Sequence, residues 1–268
     1  MRITTRRKAE QPGPKPCPHC GAIRPTRTAD LCGRSVFVGW EPCQCPGAQE
    51  ERAAYERGRA REAHASEVAA WSRKLERAAI PPKYREAVHP WAQRMAQRIA
   101  EGQGFYIHGP NGTGKTTLAC AAALICLRGG MSVRFAVATK LLDALREFGA
   151  ESRGLAEGLA KCDLLVIDDL GKEGAATPRA AEKLFDLFND RANEATLAHP
   201  KPVIVTSNFP RGNVAAAVSE GGAGISIASR LAEMTEVVPM EGEDWRLKNG
   251  QSAKSCGSAY DDGRATWR

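Results

Sequence analysis

The chain has 268 residues, is 43% hydrophobic and carries a formal net charge of +7. That is enough for one good-sized domain with a real core and smaller attachments. The longest apolar run, Leu118 to Leu127, is ten residues, well short of the roughly 20 that a membrane helix needs, and the first sixteen residues are polar and Pro-rich, unlike a secretory signal. The expectation is a cytoplasmic protein with no membrane partner.

The charge is uneven. Residues 1–46 carry eight Lys/Arg against three Asp/Glu, residues 47–99 eleven against seven, and residues 100–245 fourteen against nineteen. Basic charge upstream of an acidic body suits either contact with nucleic acid or an acidic partner, or simple solubility of flexible ends. Residues 1–16 are expected to be a disordered basic tail.

Five of the nine cysteines lie between Cys17 and Cys45. Cys17-Pro18-His19-Cys20-Gly21 is a C-x-x-C knuckle whose spacing lets two thiolates face one metal, with Gly21 permitting the turn. Val36 to Trp40 reads as a strand leading to Cys43-Gln44-Cys45, a second close pair. Two such pairs describe a zinc-ribbon-like module over residues 17–46, with Cys17, Cys20, Cys43 and Cys45 as ligands of a structural Zn²⁺ and Cys32 or His19 as substitutes. So small a segment has little core of its own, which favours a metal over free thiols.

Residues 47–79, rich in Ala, Arg and Glu, predict a helical connector that Pro81-Pro82 stops. A helix follows near Trp91 to Glu101. Phe105 to His108 then reads as a buried strand running into Gly109-Pro110-Asn111-Gly112-Thr113-Gly114-Lys115-Thr116, which fits the P-loop pattern G-x-x-x-x-G-K-[ST]. A tight turn between strand and helix aims backbone N–H groups at one point, and the helix N-terminus adds partial positive charge. A bound nucleoside triphosphate is therefore expected, with Lys115 reaching its β- and γ-phosphates and the Thr116 hydroxyl holding Mg²⁺.

Ser132 to Ala138 predicts the next strand and Thr139 to Phe148 a helix, followed by a Gly-containing connection. Leu164 to Ile167 is an apolar strand ending in Asp168-Asp169. Thr177 caps a helix with Pro178 at its first position. Pro202 to Val205 is another apolar strand, ending in Thr206-Ser207-Asn208. A helix near Ile225 to Met234 carries Arg230, and Thr235 to Met240 is the last strand. Apolar strands alternating with helices mean an α/β fold with a parallel sheet covered on both faces. Asp168 is placed to hold Mg²⁺ with Thr116. Asp169 is either the group that activates water or a carboxylate supporting Asp168, and Asn208 either bonds the γ-phosphate or water or caps a turn. Arg230 has no acid four residues before it. It is a candidate arginine finger or an ordinary surface residue.

In order and spacing, Gly109–Thr116, Leu164–Gly171 (LLVIDDLG), Val205–Asn208 (VTSN) and Ile227–Leu231 (IASRL) resemble the DnaC/DnaI-type AAA+ loaders of replicative helicases. They are also similar to the IstB-type transposition helpers. The resemblance covers roughly residues 80–246. It implies an AAA+ P-loop NTPase with a five-stranded sheet in the order 5-1-4-3-2, ATP and Mg²⁺ as cofactors, and nucleotide contacts running from Gly109 to Thr117. Asn208 takes the sensor 1 position, Arg230 the finger from a neighbouring subunit, and Arg246 the sensor 2 arginine. Many AAA+ proteins have Asp-Glu where this chain has Asp168-Asp169. The Cys-rich module resembles the N-terminal region of phage and prophage loaders, which contacts the helicase. Expected partners are therefore a replicative DNA helicase, single-stranded DNA through the stretch 139–160 near Lys140, Arg146 and Arg153, and further copies of the chain in a ring or spiral. Residues 247–268 are expected to be a disordered tail. A metabolic P-loop kinase needs an Arg-rich lid that the sequence does not clearly supply. A non-hydrolysing zinc adaptor has no need of Asp168, Asn208 and Arg230 together.

Overall fold

The computed structural model describes residues 12–147, 149–172, 176–196, 198–218 and 222–242. Phe148, Arg246 and the tail 247–268 named above lie outside these residues. The chain divides into two compact units, 1–71 and 72–268.

In the first unit, β1 (Lys15–Pro16) pairs antiparallel with β2 (Ile23–Arg24) across the Cys17–Cys20 knuckle. Residues 15 and 16, expected to be disordered, are thus part of the module. Gly21 takes φ +74° and its N–H bonds the Cys17 carbonyl at 2.9 Å, the turn for which a glycine was expected. β3 (Thr26–Leu31) and β4 (Arg34–Trp40) form an antiparallel hairpin. Its two-residue loop, Cys32-Gly33, has positive φ at both positions, as a primed hairpin turn requires. Only the β4 half was foreseen, because β3 (TRTADL) carries little apolar signal. α1 (Pro46–Ala78) then runs for 33 residues as one helix, whose last seven residues belong to the second unit. It ends at Ala79, in the left-handed region at φ +56°, just before the two prolines.

In the second unit, α2 (Ala92–Ala100) leads to β5 (Gly104–His108), the P-loop and α3 (Lys115–Arg128). β6 (Val133–Val137), α4 (Ala138–Arg146), α5 (Ala150–Lys161) and β7 (Leu164–Leu170) follow. Next come α6 (Pro178–Glu194), β8 (Val203–Ser207), α7 (Val214–Val218), α8 (Gly222–Met234) and β9 (Thr235–Pro239). Helix α5 occupies what the sequence suggested was a loop. Its two internal glycines, Gly154 and Gly158, lower intrinsic helix preference and hid it.

The sheet is parallel with order β6-β7-β8-β5-β9, which is 5-1-4-3-2 counted from β5 as the first strand. Strand residues alternate between two faces. Tyr106, Leu165, Ile167, Val203 and Val205 pack into a core with Leu141, Leu142 and Leu145 of α4, Leu184 and Phe188 of α6, and Ile227 and Leu231 of α8. Phe105, Ile107, Leu164, Val166 and Ile204 alternate with them and are fully buried as well. Helix α3 packs on α2 and touches β5 to β8, and its Leu118 to Leu124 stretch is buried all round. Arg98 of α2 bonds Glu236 of β9 at 2.7 Å, fastening the outer helix to the edge strand. Among the described residues no helix is long and apolar enough to cross a membrane.

Candidate functional site

In a parallel sheet the C-terminal strand ends share one edge, and ligands bind there. His108, Asp168, Ser207 and Pro239 end or nearly end β5, β7, β8 and β9 at that edge. The P-loop rises from β5 between two neighbours. The Gly109 N–H bonds the Ser207 carbonyl at 3.3 Å, and the Met240 N–H bonds the His108 carbonyl at 2.7 Å. Gly109 sits at φ +151°, and a Cβ there would lie 2.0 Å from the Met240 carbonyl oxygen. Close backbone approach therefore demands glycine. Gly112 and Gly114, at φ +77° and +90°, turn the chain so that α3 begins at Lys115. The Thr113 hydroxyl donates to the Pro110 carbonyl at 3.0 Å, tightening the loop. Lys115 is buried, and its Nζ donates to the Gly109 and Pro110 carbonyls at 2.8 and 2.7 Å. The ammonium is thus folded inside the loop, at the start of α3, where helix N–H groups favour an anion.

The Thr116 hydroxyl donates to Asp168 Oδ1 at 2.8 Å. A hydroxyl and a carboxylate side by side at the loop suit a small hard cation, which takes oxygen ligands and keeps several waters. Burial raises the Asp168 carboxyl above its ordinary value, while hydrogen bonds from Thr206 and Thr116 act in the opposite direction. Asp169 follows at φ +61°, a left-handed position uncommon for a residue with a Cβ. Its carboxylate is partly exposed and pairs with Lys172 at 3.2 Å. Asn208, just past β8, has a buried Oδ1 with no hydrogen-bond partner among the described residues, an acceptor suited to a donor such as water.

Arg230 lies on α8, half-buried, and its Nη1 bonds Glu233 at 2.6 Å, three residues downstream. The pairing acid thus lies downstream, not at the upstream position four residues before. Lys140 and Arg153 are exposed, on α4 and α5, and Arg146 pairs with Asp143 at 3.1 Å. An open groove of about 500 Å³ beside α5 is lined by Arg153, Lys161, Arg179 and Lys183 but also by Glu147, Glu157, Asp190 and Glu194. The opposed charges give it no net attraction for an anion.

The first unit holds its own cluster. The sulfurs of Cys17, Cys20, Cys43 and Cys45 all lie within 4.8 Å of one another. Cys17–Cys45 and Cys20–Cys43 are 3.8 and 3.4 Å apart, close to the roughly 3.8 Å edge of a tetrahedron with Zn–S bonds of about 2.3 Å. The backbone N–H of His19 pulls the Cys17 thiol down to about 6. The N–H of Ala22 favours the Cys20 thiolate too, but Cys43 and Cys45 beside it outweigh this and push Cys20 up to about 12. Four thiolates crowded together repel, and a divalent cation relieves that repulsion, so the donor set fits zinc. The substitutes fall away. Cys32 sits at the exposed hairpin tip, and His19 bonds Glu51 of α1 at 2.9 Å.

Two residues that the sequence reading passed over matter to this geometry. Thr206 is fully buried and donates to Asp168 Oδ1 at 2.7 Å. Arg191, also fully buried, donates to the carbonyls of Leu159, Cys162 and Pro202 at 2.7 to 2.9 Å, among others. It ties α6 to the segments that enter β7 and β8.

Compared with known proteins, residues 94–253 match the family model of the IstB-like ATP binding protein, which is more than half of the chain. The chain belongs to that family. A protein of Sinorhizobium fredii named as an insertion sequence ATP-binding protein is 29% identical to this IstB-like chain over 163 residues, 58% of this chain and 51% of its own. An ATP-binding protein in an insertion sequence of Mycobacterium tuberculosis is 30% identical over 151 residues, 54% of this chain and 56% of its own. The IstB-like chain thus spans about half the length of the curated relatives it matches. Among solved structures, DnaI gives a TM-score of 0.48 at 22% identity, covering 56% of this chain and 83% of its own. The DnaC helicase loader gives 0.49 at 21%, covering 61% and 99%.

Proposed function

We propose that this IstB-like AAA+ protein is an ATP-dependent loader of a replicative DNA helicase, hydrolysing Mg-ATP within a homo-oligomer and contacting single-stranded DNA. The observation that carries the reading is one chain joining a P-loop site that meets Asp168 to a separate four-thiol module and a long exposed helix. The first part turns over nucleotide, and the second offers a surface to a protein partner. Lys115 binds the β- and γ-phosphates, and the loop from Gly109 to Thr117 cradles them with backbone N–H groups. Thr116 and Asp168 hold Mg²⁺, which neutralises charge developing on the phosphates. Asp169 takes the proton of the attacking water, and Asn208 orients that water through its buried Oδ1. Arg230 of a neighbouring subunit answers the negative charge that this set leaves unmatched, and Arg246 senses the nucleotide within its own chain. Zn²⁺ on Cys17, Cys20, Cys43 and Cys45 gives the first unit the core it otherwise lacks.

The names of the curated relatives favour a second reading, an ATPase that assists a transposase of an insertion sequence. Co-purification of the full chain from its host with either partner separates the two. A helicase retained with ATP, and turnover stimulated by single-stranded DNA, fit the loader. Retention of a transposase and no helicase contradicts it.

A further inference from the structure

We infer that Thr206 is the positioning residue of the hydrolytic site, its one hydroxyl holding Asp168 toward the metal position and fixing the bulge that presents Asp169. This rests on the reading of Thr116 and Asp168 as the Mg²⁺-holding pair. The register between β7 and β8 slips at this point. Ile167 pairs with Val205 and Leu170 with Ser207, so Asp168 and Asp169 together face Thr206. Two residues against one is a β-bulge, which bends a strand and re-aims its side chains. In a regular strand the two acids would point to opposite faces.

The bulge takes Asp169 out of the ladder, and its N–H is met instead by Thr206 Oγ1 at 2.9 Å. A hydroxyl has one proton to give and lone pairs to accept. Having accepted from Asp169, Thr206 gives its proton to Asp168 Oδ1, 2.7 Å away. That oxygen also receives the Thr116 hydroxyl. Ser207 closes the slip on the other side, donating to the Leu170 carbonyl at 2.7 Å and accepting from the Phe209 N–H at 3.1 Å. A left-handed Asp169 persists only where its surroundings over-determine it. Among the described hydrogen bonds, Thr206 is the buried side chain that meets both acids. Valine has the same shape and can make neither bond, whereas serine can make both.

The test compares Thr206→Val and Thr206→Ser with wild type in two measurements, ATP turnover and binding of a fluorescent ATP analogue with and without Mg²⁺. Thr206→Val is expected to lose turnover by about 10- to 100-fold, the scale of a lost hydrogen bond to a charged group. Its analogue affinity without Mg²⁺ should match wild type, and the gain in affinity on adding Mg²⁺ should shrink. Thr206→Ser should restore both. Should the valine variant fail to fold, Thr206→Ala takes its place. The inference is overturned if the hydroxyl-free variant keeps wild-type turnover and Mg²⁺ response, if it loses Mg²⁺-free binding as well, or if serine fails to rescue. Asp168→Asn, measured alongside, separates the two levels. Normal hydrolysis by that variant sinks the metal assignment itself, while its inactivity beside an active Thr206→Val sinks only the role of Thr206.

Discussion

Under the proposed reading Lys115 and Asp168 have separable tasks, one lying inside the P-loop and the other across it at the end of β7. Lys115→Ala should weaken nucleotide binding by roughly 10- to 100-fold, because the phosphates lose a charge-assisted bond. Asp168→Ala should keep most of the binding and lose turnover, and equilibrium titration beside a steady-state assay checks both. Asp168 is also a site where function opposes stability. Burial raises its folded-state pKa, so the native state binds that proton more tightly than the unfolded chain. The resulting stability is present below the unfolded pKa and is lost as pH rises through the raised folded value. Asp168→Asn removes the buried charge but keeps an acceptor for the Thr206 and Thr116 hydroxyls. Without nucleotide at neutral pH it should melt above wild type while losing hydrolysis, and the gap should close in acid. A variant that melts below wild type at neutral pH contradicts this account.

At the scale of elements, Arg191 on α6 holds β7 and β8 in line from the end opposite the nucleotide. Its guanidinium serves carbonyls of the α5–β7 segment together with that of Pro202. Arg191→Met strips the guanidinium donors from those buried carbonyls, of which Pro202 keeps only the Leu165 N–H and Leu159 only the Cys162 thiol among the described contacts, and a loss of about 2–4 kcal/mol is expected in denaturant unfolding. Lysine should not rescue it, since an ammonium cannot span the same fork. A loss below 1 kcal/mol would show that water or a shifted backbone replaces the guanidinium. The Cys module makes a second claim at this scale. Full-length protein should contain one zinc per chain, and Cys20→Ser/Cys43→Ser should contain none, as read by elemental analysis. Metal-free wild type as purified would contradict the tetrahedral reading. Much of this was legible because motifs carry their own geometry. The strand, glycine loop and Lys-Thr placed the P-loop, and two close cysteine pairs placed the cluster. What escaped notice depended on non-local contacts. Arg191 continues the apolar stripe of Leu184 and Phe188 at helical spacing, but nothing local says that its guanidinium meets backbone from two other segments. The bulge at Asp168-Asp169 is invisible in an apolar run followed by two acids, because register belongs to a pair of strands.

For the whole molecule, we propose that ATP is hydrolysed between subunits. The residues gathered at the sheet edge supply a lysine, a hydroxyl–carboxylate pair and an amide. Arg230 lies on α8, paired only with the neighbouring Glu233 among the described contacts. A cation brought in from another subunit can contribute about a thousandfold or more in rate. Such a contact is head-to-tail and generates a ring or an open spiral. The most direct measurement mixes two inactive variants, Arg230→Ala and Lys115→Ala, under conditions where mixed assemblies are verified. Some interfaces then pair an intact P-loop with an intact Arg230, and ATPase activity is expected to return in part, rising and falling with the mixing ratio. Full activity in Arg230→Ala alone, or no recovery in verified mixed assemblies, would contradict the claim.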